Sequence, residues 1–409
     1  MQKPNSKEPD LMVSKNVCAV LTLPRPPENR SASDWYWGGI CGIPFLMRNV
    51  FNLQRVGLTS LIIYSNENNV ELYKRICEEK KVSLKLSWTT DVMEVTKSTK
   101  NCAVLVLNGG ALYTKQEIES GINSLANSSE GSAQFLERET MVNALNQIVL
   151  ENKFSLAPSG GKLDSGVIFL PAGKNSWISQ PQDFFTQHEI LLKDCGLDND
   201  SLMDKAVTRF FSRQITRFFL KTSLSPNMIT SLSLVIGLMS AGYFFQGTHE
   251  NNLIGAGLLL LSAWIDCTDG EIARLKFMES KIGGKLDIIC DNLVHFAVFF
   301  AIGIGLYRST GKNIFILLGA LAVLGSLISF LLLSSSIIDG KKKHSENTSG
   351  LISKKDLTAK LANRDFIYLL SLMALIGRID IFIFITAVGS NVFSSYLIYS
   401  RFKSYLLTS

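Results

Sequence analysis

Residues 1–200 contain no apolar run long enough to cross a bilayer, although the chain as a whole is rich in apolar residues. It has 409 residues, of which 46% are hydrophobic, and its mean hydropathy is +0.20. A membrane-spanning helix needs about 20 consecutive apolar residues, and the run Val17–Leu23 is far shorter and stops at Pro24. We therefore expect neither a signal peptide nor a membrane span in this part. The composition changes sharply after about Lys221, which predicts a membrane domain beyond it.

The chain also lacks the cysteine and histidine spacings that are typical of disulfide frameworks and zinc sites. Its seven cysteines are scattered and include no C-x2-C pair, so we expect a reduced, cytoplasmic environment. None of the four histidines lies at metal-ligand spacing from another, which argues against zinc. Cys267 and Cys290 occupy variable positions of the acidic motif described below, and we assign them to packing.

A nucleic-acid-binding pattern is missing as well. The net charge is +6, but no basic–aromatic stripe accompanies it, so we expect no nucleic acid partner. Lysine and arginine concentrate in the connections around 274–285 and 339–364, whereas the opposite connections hold little more than Arg308, Lys312 and Arg378. The positive-inside rule then predicts a multi-pass protein of the cell inner membrane, with both termini and the acidic motif in the cytoplasm.

Three segments follow from these patterns. We predict an α/β domain over residues 1–200, a basic amphipathic juxtamembrane helix over 201–223 and an all-α transmembrane domain over 224–409. Within the last segment, hydropathy indicates six spans. Their approximate ranges are 228–246, 252–271, 287–307, 313–336, 365–377 and 380–400.

An acidic motif lies where the sequence becomes apolar. It reads D-x2-D-G-x2-A-R-x8-G-x3-D-x3-D. A carboxylate in or near the hydrocarbon costs at least a few kcal/mol, so acids at such positions indicate function. The motif residues are Asp266, Asp269, Gly270, Ala273, Arg274, Gly283, Asp287 and Asp291.

The spacing of the motif predicts a metal site between two helices. On a helix, Asp266 and Asp269 are neighbours on one face, and a second helix brings Asp287 and Asp291 together in the same way. A turn at about 276–284 allows both faces to meet. Clustered carboxylates repel one another unless cations lie among them, and oxygen-only ligation suits Mg²⁺ first, then Mn²⁺ or Ca²⁺. A buried salt-bridge network or a cation-transport site remains the alternative.

The other motif residues indicate a phosphate-bearing ligand. Gly270 and Ala273 have small or no side chains, so a planar group such as a base can approach the helix backbone there. Arg274 adds a planar guanidinium group whose N–H groups can donate two parallel hydrogen bonds to a phosphate. Together with metal ions, this pattern is typical of a nucleotide diphosphate site.

This motif resembles the signature of the CDP-alcohol phosphatidyltransferase family, and the segment Leu224–Thr230 is similar to the start of that family's first span. The family transfers a phospho-alcohol group from a CDP-alcohol to an acceptor hydroxyl, and CMP leaves. The resemblance implies two Mg²⁺ ions (or Mn²⁺), held by Asp266, Asp269 and Asp287, with Asp291 completing the site as general base. Asp291 is also expected to be a ligand of the metal pair. The resemblance further implies nucleotide contacts at Gly270, Ala273, Arg274 and Gly283, and a homodimer.

Two further residues are candidate acceptor contacts. His295 follows Asp291 by four positions and could orient that carboxylate or touch the acceptor; an ordinary core histidine is the alternative. Arg364 precedes a span at its cytoplasmic end, and the family's inositol-phosphate users bind acceptor phosphate with such an arginine; snorkelling to the interface is the alternative. The resemblance leaves CDP-diacylglycerol and CDP-inositol open as donors, and an inositol phosphate or a lipid as acceptor.

The juxtamembrane segment is predicted to be a membrane-surface helix. Arg209, Arg213 and Arg217 recur every four residues and give one cationic face beside phenylalanines, a pattern that suits the cytoplasmic bilayer surface. A solvated basic face is the alternative.

The first domain alternates strand-like and helix-like runs, which predicts a mostly parallel sheet. Strands are expected at Val17–Leu23, Ser60–Ser65 and Ala103–Leu107, and amphipathic helices at Ile43–Val56 and Asn69–Glu79. Gly42–Leu46, Gly57–Ile63, Val106–Gly109 and Asp164–Phe169 resemble a sugar-phosphate nucleotidyltransferase domain.

That resemblance fails where nucleotidyl transfer would occur. The glycine-rich loop expected after the first strand is replaced by a proline-rich segment, Pro24–Pro27, and prolines lack the N–H groups that cradle phosphate. Gly109-Gly110 replaces the expected metal-binding Gly-Asp. We therefore expect a degenerate domain that binds a ligand or serves as a scaffold.

The domain order resembles bifunctional enzymes that make CDP-inositol and then di-myo-inositol phosphate phosphate. Two alternatives stay open for the whole chain. It is either a bifunctional enzyme whose first domain makes the CDP-alcohol from CTP, or a membrane binding or carrier protein without turnover.

Overall fold

The computed structural model describes residues 17–27, 30–100, 102–127, 134–136, 138–151, 166–196, 203–338 and 365–406. The chain divides into two compact units, one ending at Leu191 and the other beginning at Leu192. The sequence-based boundary near residue 200 stays a prediction.

A six-stranded sheet organises the first unit, with strand order β5-β4-β1-β6-β8-β7. Neighbouring strands run parallel except β7, which pairs antiparallel with β8. The central strands are mostly apolar and almost fully buried, as expected when both faces of a parallel sheet are covered. The six strands are β1 (Val17–Leu23), β4 (Ser60–Ser65), β5 (Lys85–Thr89), β6 (Ala103–Asn108), β7 (Gln134–Leu136) and β8 (Val167–Leu170).

The predicted α/β fold and its three predicted strands are confirmed; β6 continues one residue further, to Asn108. The predicted helix over Ile43–Val56 begins later, at Phe45, because Ile43–Pro44 forms strand β3, which pairs with β2 (Gly39–Ile40). Helices of this unit are α1 (Ala32–Tyr36), α2 (Phe45–Arg55), α3 (Val70–Glu78), α4 (Val92–Ser98), α5 (Lys115–Asn127), α6 (Arg138–Glu151) and α7 (Pro181–Asp194).

At the carboxyl ends of β1 and β6, the segments that follow the two strands pack closely against other parts of the same unit. Gly109 N donates a hydrogen bond to the Thr22 carbonyl at 2.6 Å, and a Cβ at position 109 would lie 2.6 Å from that same oxygen. Tyr36, which is 1% exposed, donates its hydroxyl to the Pro24 carbonyl at 2.6 Å. The proline-rich segment after β1 is therefore packed against a buried tyrosine.

The second unit is helical. It begins with a π-helical turn, Asp204–Thr208, which runs directly into α8 (Arg209–Leu220). In the described part of this unit, five helices are long and apolar enough to cross a membrane. They are α9 (Pro226–Phe244), α10 (His249–Leu275), α11 (Lys281–Thr310), α12 (Ile314–Ile338) and α14 (Ile379–Leu406).

The predicted span at 365–377 is a helix, α13 (Asp365–Ile376), of 12 residues. At about 1.5 Å per residue it reaches little more than half of a hydrocarbon core of about 30 Å. The described part of α13 is thus shorter than a full span, and the sixth span stays a prediction; its apolar side chains join the helical core through Ile367, Leu370 and Ala374.

Glycine allows two segments of the helical unit to touch backbone to backbone. Gly247, in the turn after α9, has φ +75°, and a Cβ there would lie 2.0 Å from the carbonyl oxygen of Gly305 on α11. A Cβ on Gly305 would lie 2.1 Å from the Phe244 carbonyl oxygen. No other residue type fits this crossing.

The turn between α10 and α11 is shorter than the predicted 276–284. Helix α10 continues to Leu275, and α11 begins at Lys281 with Ser280 as its N-cap, its side chain accepting from Gly283 N. Gly283 therefore belongs to the first turn of a helix. Both halves of the acidic motif are helical, as the spacing predicted.

Candidate metal and nucleotide site

Three aspartates of the motif form an acidic triad. Asp266 and Asp269 on α10 and Asp287 on α11 each offer one carboxylate oxygen, and these atoms lie within 4.8 Å of one another. Asp266 is 4% exposed and Asp269 is 6% exposed. Three buried or half-buried carboxylates at this separation repel one another unless a cation or protons lie among them.

Hydroxyl groups of α9 hold two members of the triad. Thr230 Oγ1 donates a hydrogen bond to Asp269 Oδ2. Ser233 Oγ lies 3.2 Å from Asp266 Oδ1 and 2.8 Å from the Thr230 carbonyl oxygen, and its single proton can be donated to either acceptor. Thr230 falls in the segment Leu224–Thr230, but sequence reasoning assigned it no role, because its partner is 39 residues away.

The triad fits a divalent cation by its donor chemistry. Carboxylate oxygens are the ligands that Mg²⁺ and Mn²⁺ prefer. Neighbouring donors that fix the orientation of a ligand are the usual companions of such sites, and the Thr230 and Ser233 hydroxyls supply them.

A cavity of about 220 Å³ opens beside the triad and shares Asp269 and Asp287 with it. All four predicted nucleotide contacts line this cavity: Gly270, Ala273, Arg274 and Gly283. Gly270 keeps the surface bare next to the arginine, since a Cβ there would lie 3.2 Å from Arg274 Nη1. A Cβ on Gly283 would lie 3.0 Å from Asn227 Oδ1. Asn227, from the start of α9, is a lining residue to which sequence reasoning gave no role.

Arg274 is held in place by the main chain. Its Nε donates a hydrogen bond of 2.9 Å to the carbonyl oxygen of Cys195. The guanidinium group is thus anchored at one nitrogen while its residue lines the cavity. A fixed planar donor group beside carboxylates suits a phosphate that also contacts a metal.

Asp291 lies outside the triad. It lines a separate small cavity of about 20 Å³ together with Asp266, Ser233, Ser262 and His295. The His295 ring packs against Phe366 at 4.8 Å between ring centroids and against Phe299 at 6.3 Å. His295 therefore shares a cavity with Asp291 and packs in an aromatic cluster at the same time. Arg364 lies outside the described residues.

Glu271 is a buried residue that sequence reasoning missed. It occupies a variable position of the motif, is 0% exposed, and forms an ion pair of 2.7 Å with Arg209 on α8. The prediction that Arg209 belongs to a membrane-facing cationic surface is wrong, because this arginine is 6% exposed and turned towards the α10 carboxylate. Phe210 and Phe218 of the same helix are 60% and 65% exposed.

Comparison with known proteins agrees with the motif. Residues 223–395 match the sequence profile of the family described as CDP-alcohol phosphatidyltransferase. A bifunctional IPC transferase and DIPP synthase of Aquifex aeolicus is 26% identical over 232 residues, covering 55% of this chain and 50% of that protein. An archaetidylinositol phosphate synthase of Pyrococcus horikoshii is 30% identical over 82 residues, covering 20% of this chain and 42% of that protein.

Among solved structures, the phosphatidylinositol phosphate synthase of Mycobacterium tuberculosis with CDP-DAG bound aligns with a TM-score of 0.35 at 19% identity. It covers 47% of this chain and 92% of that one. The chain spans about half the length of the first curated relatives that it matches. The acidic triad and the cavity beside it both lie inside the matched residues 223–395. The helical unit of this membrane protein therefore contains a region that matches the CDP-alcohol phosphatidyltransferase family, the family whose signature the aspartate motif resembles.

Proposed function

We propose that this protein is an integral membrane CDP-alcohol phosphotransferase that moves a phospho-alcohol group from a CDP-alcohol to an acceptor hydroxyl and releases CMP. One observation carries the proposal: the acidic triad and the cavity lined by the nucleotide-contact residues share Asp269 and Asp287. A diphosphate bound in that cavity would meet the carboxylates and Arg274 together. A salt-bridge network or a simple ion site does not account for the bare glycine surface beside the arginine.

Phosphoryl transfer requires mainly that the reacting groups are positioned and that their charge is neutralised. Different residues of the site serve these two requirements. Asp266, Asp269 and Asp287 would hold divalent metal, Mg²⁺ or Mn²⁺, and we propose two ions. When bound, the metal supplies charge neutralisation at the diphosphate. Arg274 binds phosphate oxygens, while Gly270, Ala273 and Gly283 leave room for the cytidine nucleotide against the helix backbones.

Asp291 is the general base of the proposed reaction. It takes the proton of the acceptor hydroxyl; the acceptor oxygen forms a bond to the phosphorus distal to cytidine, and the bond from that phosphorus to the CMP oxygen breaks. Its shared cavity with Asp266 supports this role, because a base must lie within hydrogen-bond reach of the attacking hydroxyl. His295 and Arg364 stay candidates for acceptor contact.

The substrate class is of the inositol-phosphate type. The names of two relatives, an archaetidylinositol phosphate synthase and a bifunctional IPC transferase and DIPP synthase, support this choice. The donor is CDP-diacylglycerol or CDP-inositol, and the acceptor is an inositol phosphate or a lipid. We further propose a homodimer in the cell inner membrane, in contact with its lipids, with the site and the α/β unit in the cytoplasm.

The first test is CMP release by purified full-length protein in detergent with Mg²⁺. CDP-diacylglycerol and CDP-inositol are offered separately against inositol, inositol phosphate, glycerol phosphate and lipid acceptors. CMP with one donor–acceptor pair establishes the reaction and names its substrates. Flux across vesicles without CMP for any pair would instead indicate a carrier.

The second candidate function is bifunctional: the α/β unit would also make the CDP-alcohol from CTP. The word "bifunctional" in the name of the Aquifex relative favours it, whereas Gly109-Gly110 and the packed proline segment after β1 oppose it. Incubating the full chain with CTP, Mg²⁺ and inositol phosphate decides between them. Pyrophosphate release would establish the bifunctional enzyme, and its absence alongside CMP release would leave the α/β unit as a binding or scaffold domain.

A further inference from the structure

Glu271 is the centre of a buried polar cluster that joins α8 to the motif helix α10. Its Oε1 accepts hydrogen bonds of 2.7 Å from Arg209 Nη1 and of 2.7 Å from Ser212 Oγ, and its Oε2 accepts one of 2.6 Å from Thr216 Oγ1. Glu271, Ser212 and Thr216 are 0% exposed, and Arg209 is 6% exposed. We call these four residues the Glu271 clamp.

All three donors of the clamp lie on one face of α8. Positions 209, 212 and 216 follow the three- and four-residue spacing of a helix stripe, and each points at one carboxylate. A buried carboxylate is stable only when it is paired and hydrogen-bonded. Phe219 of α8 also belongs to one buried apolar cluster with Ile265 and Ile272 of α10. The cluster therefore fixes one relative orientation of α8 and α10.

The clamp acts on the helical turn that contains the nucleotide contacts. Gly270 immediately precedes Glu271, and Ala273 and Arg274 follow within the same turn of α10. Successive side chains of a helix are offset by about 100° around its axis, so fixing Glu271 on α8 fixes the direction in which these three residues face. Arg274 receives a second restraint through its hydrogen bond to the Cys195 carbonyl.

We propose that Glu271 is a positioning residue for the CDP moiety: the Glu271 clamp sets the rotation of the α10 turn that presents Gly270, Ala273 and Arg274 to the nucleotide. The inference rests on the proposed function, because it concerns the same cavity. In this proposal the buried Glu271 carboxylate contacts neither metal nor substrate, and helix α8 contributes to nucleotide affinity through it.

The test measures CDP affinity and steady-state kinetics of full-length Glu271→Gln in detergent. We expect the Kd for CDP and the KM for the donor to rise about tenfold or more, because a charged buried hydrogen bond is typically worth a factor of this size. The kcat at saturating donor should fall less than the affinity, because Asp291 is on α11 and Glu271 belongs neither to the acidic triad nor to the wall of the Asp291 cavity. The matched control is Glu250→Gln, which removes an exposed acid near the other end of α10.

A second variant covers the case in which Glu271→Gln does not fold. Arg209→Met combined with Glu271→Leu replaces the ion pair by apolar side chains, which often preserves stability but removes the directional bonds. We expect it to melt near the wild-type temperature and to bind CDP weakly. Unchanged CDP affinity in whichever variant folds, with or without a lower melting temperature, overturns the proposal. Wild-type protein that neither binds CDP nor releases CMP overturns the proposed function, and this inference with it.

Discussion

Thr230 Oγ1 donates a hydrogen bond to Asp269 Oδ2 and so joins the first span to the motif helix at the acidic triad. Asp269 belongs both to the triad and to the wall of the nucleotide cavity. The orientation of the Asp269 carboxylate therefore affects both the acidic triad and the nucleotide cavity. The Thr230 hydroxyl, which lies outside the motif, fixes this orientation.

Thr230→Val removes this donor while keeping the shape of the side chain. Loss of a partner that orients a metal ligand typically costs about 10–100-fold in metal affinity or activity, and we expect that loss in Mn²⁺ binding and in CMP release. Thr230→Ser retains the hydroxyl and should keep most of both. Ser231→Ala, at the exposed neighbouring position, is the control. Equal Mn²⁺ affinity in the Val and Ser variants would contradict the role of the hydroxyl.

Asp291→Asn removes the proposed base without changing the size of the side chain. General-base catalysis contributes about 10²–10⁴-fold, so CMP release should fall by at least two orders of magnitude. CDP-alcohol binding should remain measurable, because Asp291 lies outside both the triad and the nucleotide cavity. The two measurements are turnover and equilibrium binding on one preparation. Near-normal turnover would show that another group takes the proton.

Gly305→Ala places a methyl group against the backbone at the Gly247 crossing. Alanine normally stabilises a helix relative to glycine by about 1 kcal/mol. At position 305, however, the new Cβ would meet the Phe244 carbonyl oxygen, and overpacking of this kind costs about 1–3 kcal/mol. Thermal unfolding in detergent should show a lower melting temperature. Gly257→Ala on α10, where a Cβ has no neighbour within 4 Å, should leave it unchanged or higher.

Cys77 and Cys41 of the α/β unit should differ in their rates of thiol labelling. Cys77 is exposed, whereas burial raises the pKa of the Cys41 thiol to about 11. Since the thiolate is the reactive species, maleimide at pH 8 should label Cys77 rapidly and Cys41 only on unfolding, as peptide mass spectrometry would report.

The raised pKa also means that the stability contributed by the neutral Cys41 thiol is present below about pH 9 and is lost as the pH rises through about 11. Rapid labelling of Cys41 in native protein would contradict its burial.

Sequence reasoning identified the triad because its signal is local. Asp266 and Asp269 are one helical turn apart, and Asp287 follows after a short turn, so periodicity was enough to bring them together. The parallel sheet could be predicted equally well, since β1, β4 and β6 are mostly apolar runs. In both cases the partners are close in sequence or share a repeated pattern.

The Glu271 clamp was not predictable in this way. Its donors lie 55 to 62 residues before the carboxylate, and Arg209 fits the pattern of a membrane-surface helix equally well. Only the packing of α8 on α10 distinguishes a buried arginine from an interfacial one. The membrane span predicted at the short helix α13 stays a prediction for a related reason, because hydropathy reports that a segment is apolar and leaves open whether lipid or protein covers it.

The ion pair between Arg209 and Glu271 also bears on how the protein is made. Helix α10 carries Asp266, Asp269, Glu271 and Arg274 in its last ten residues, where inserting a charge costs less than the roughly 2.5–3.5 kcal/mol that applies at the centre of a lone helix. Arg209 is synthesised before Glu271, so its counter-charge has already left the ribosome when the motif helix reaches the membrane. The order of synthesis therefore makes Arg209 available to pair with Glu271 from the time that the motif helix is made.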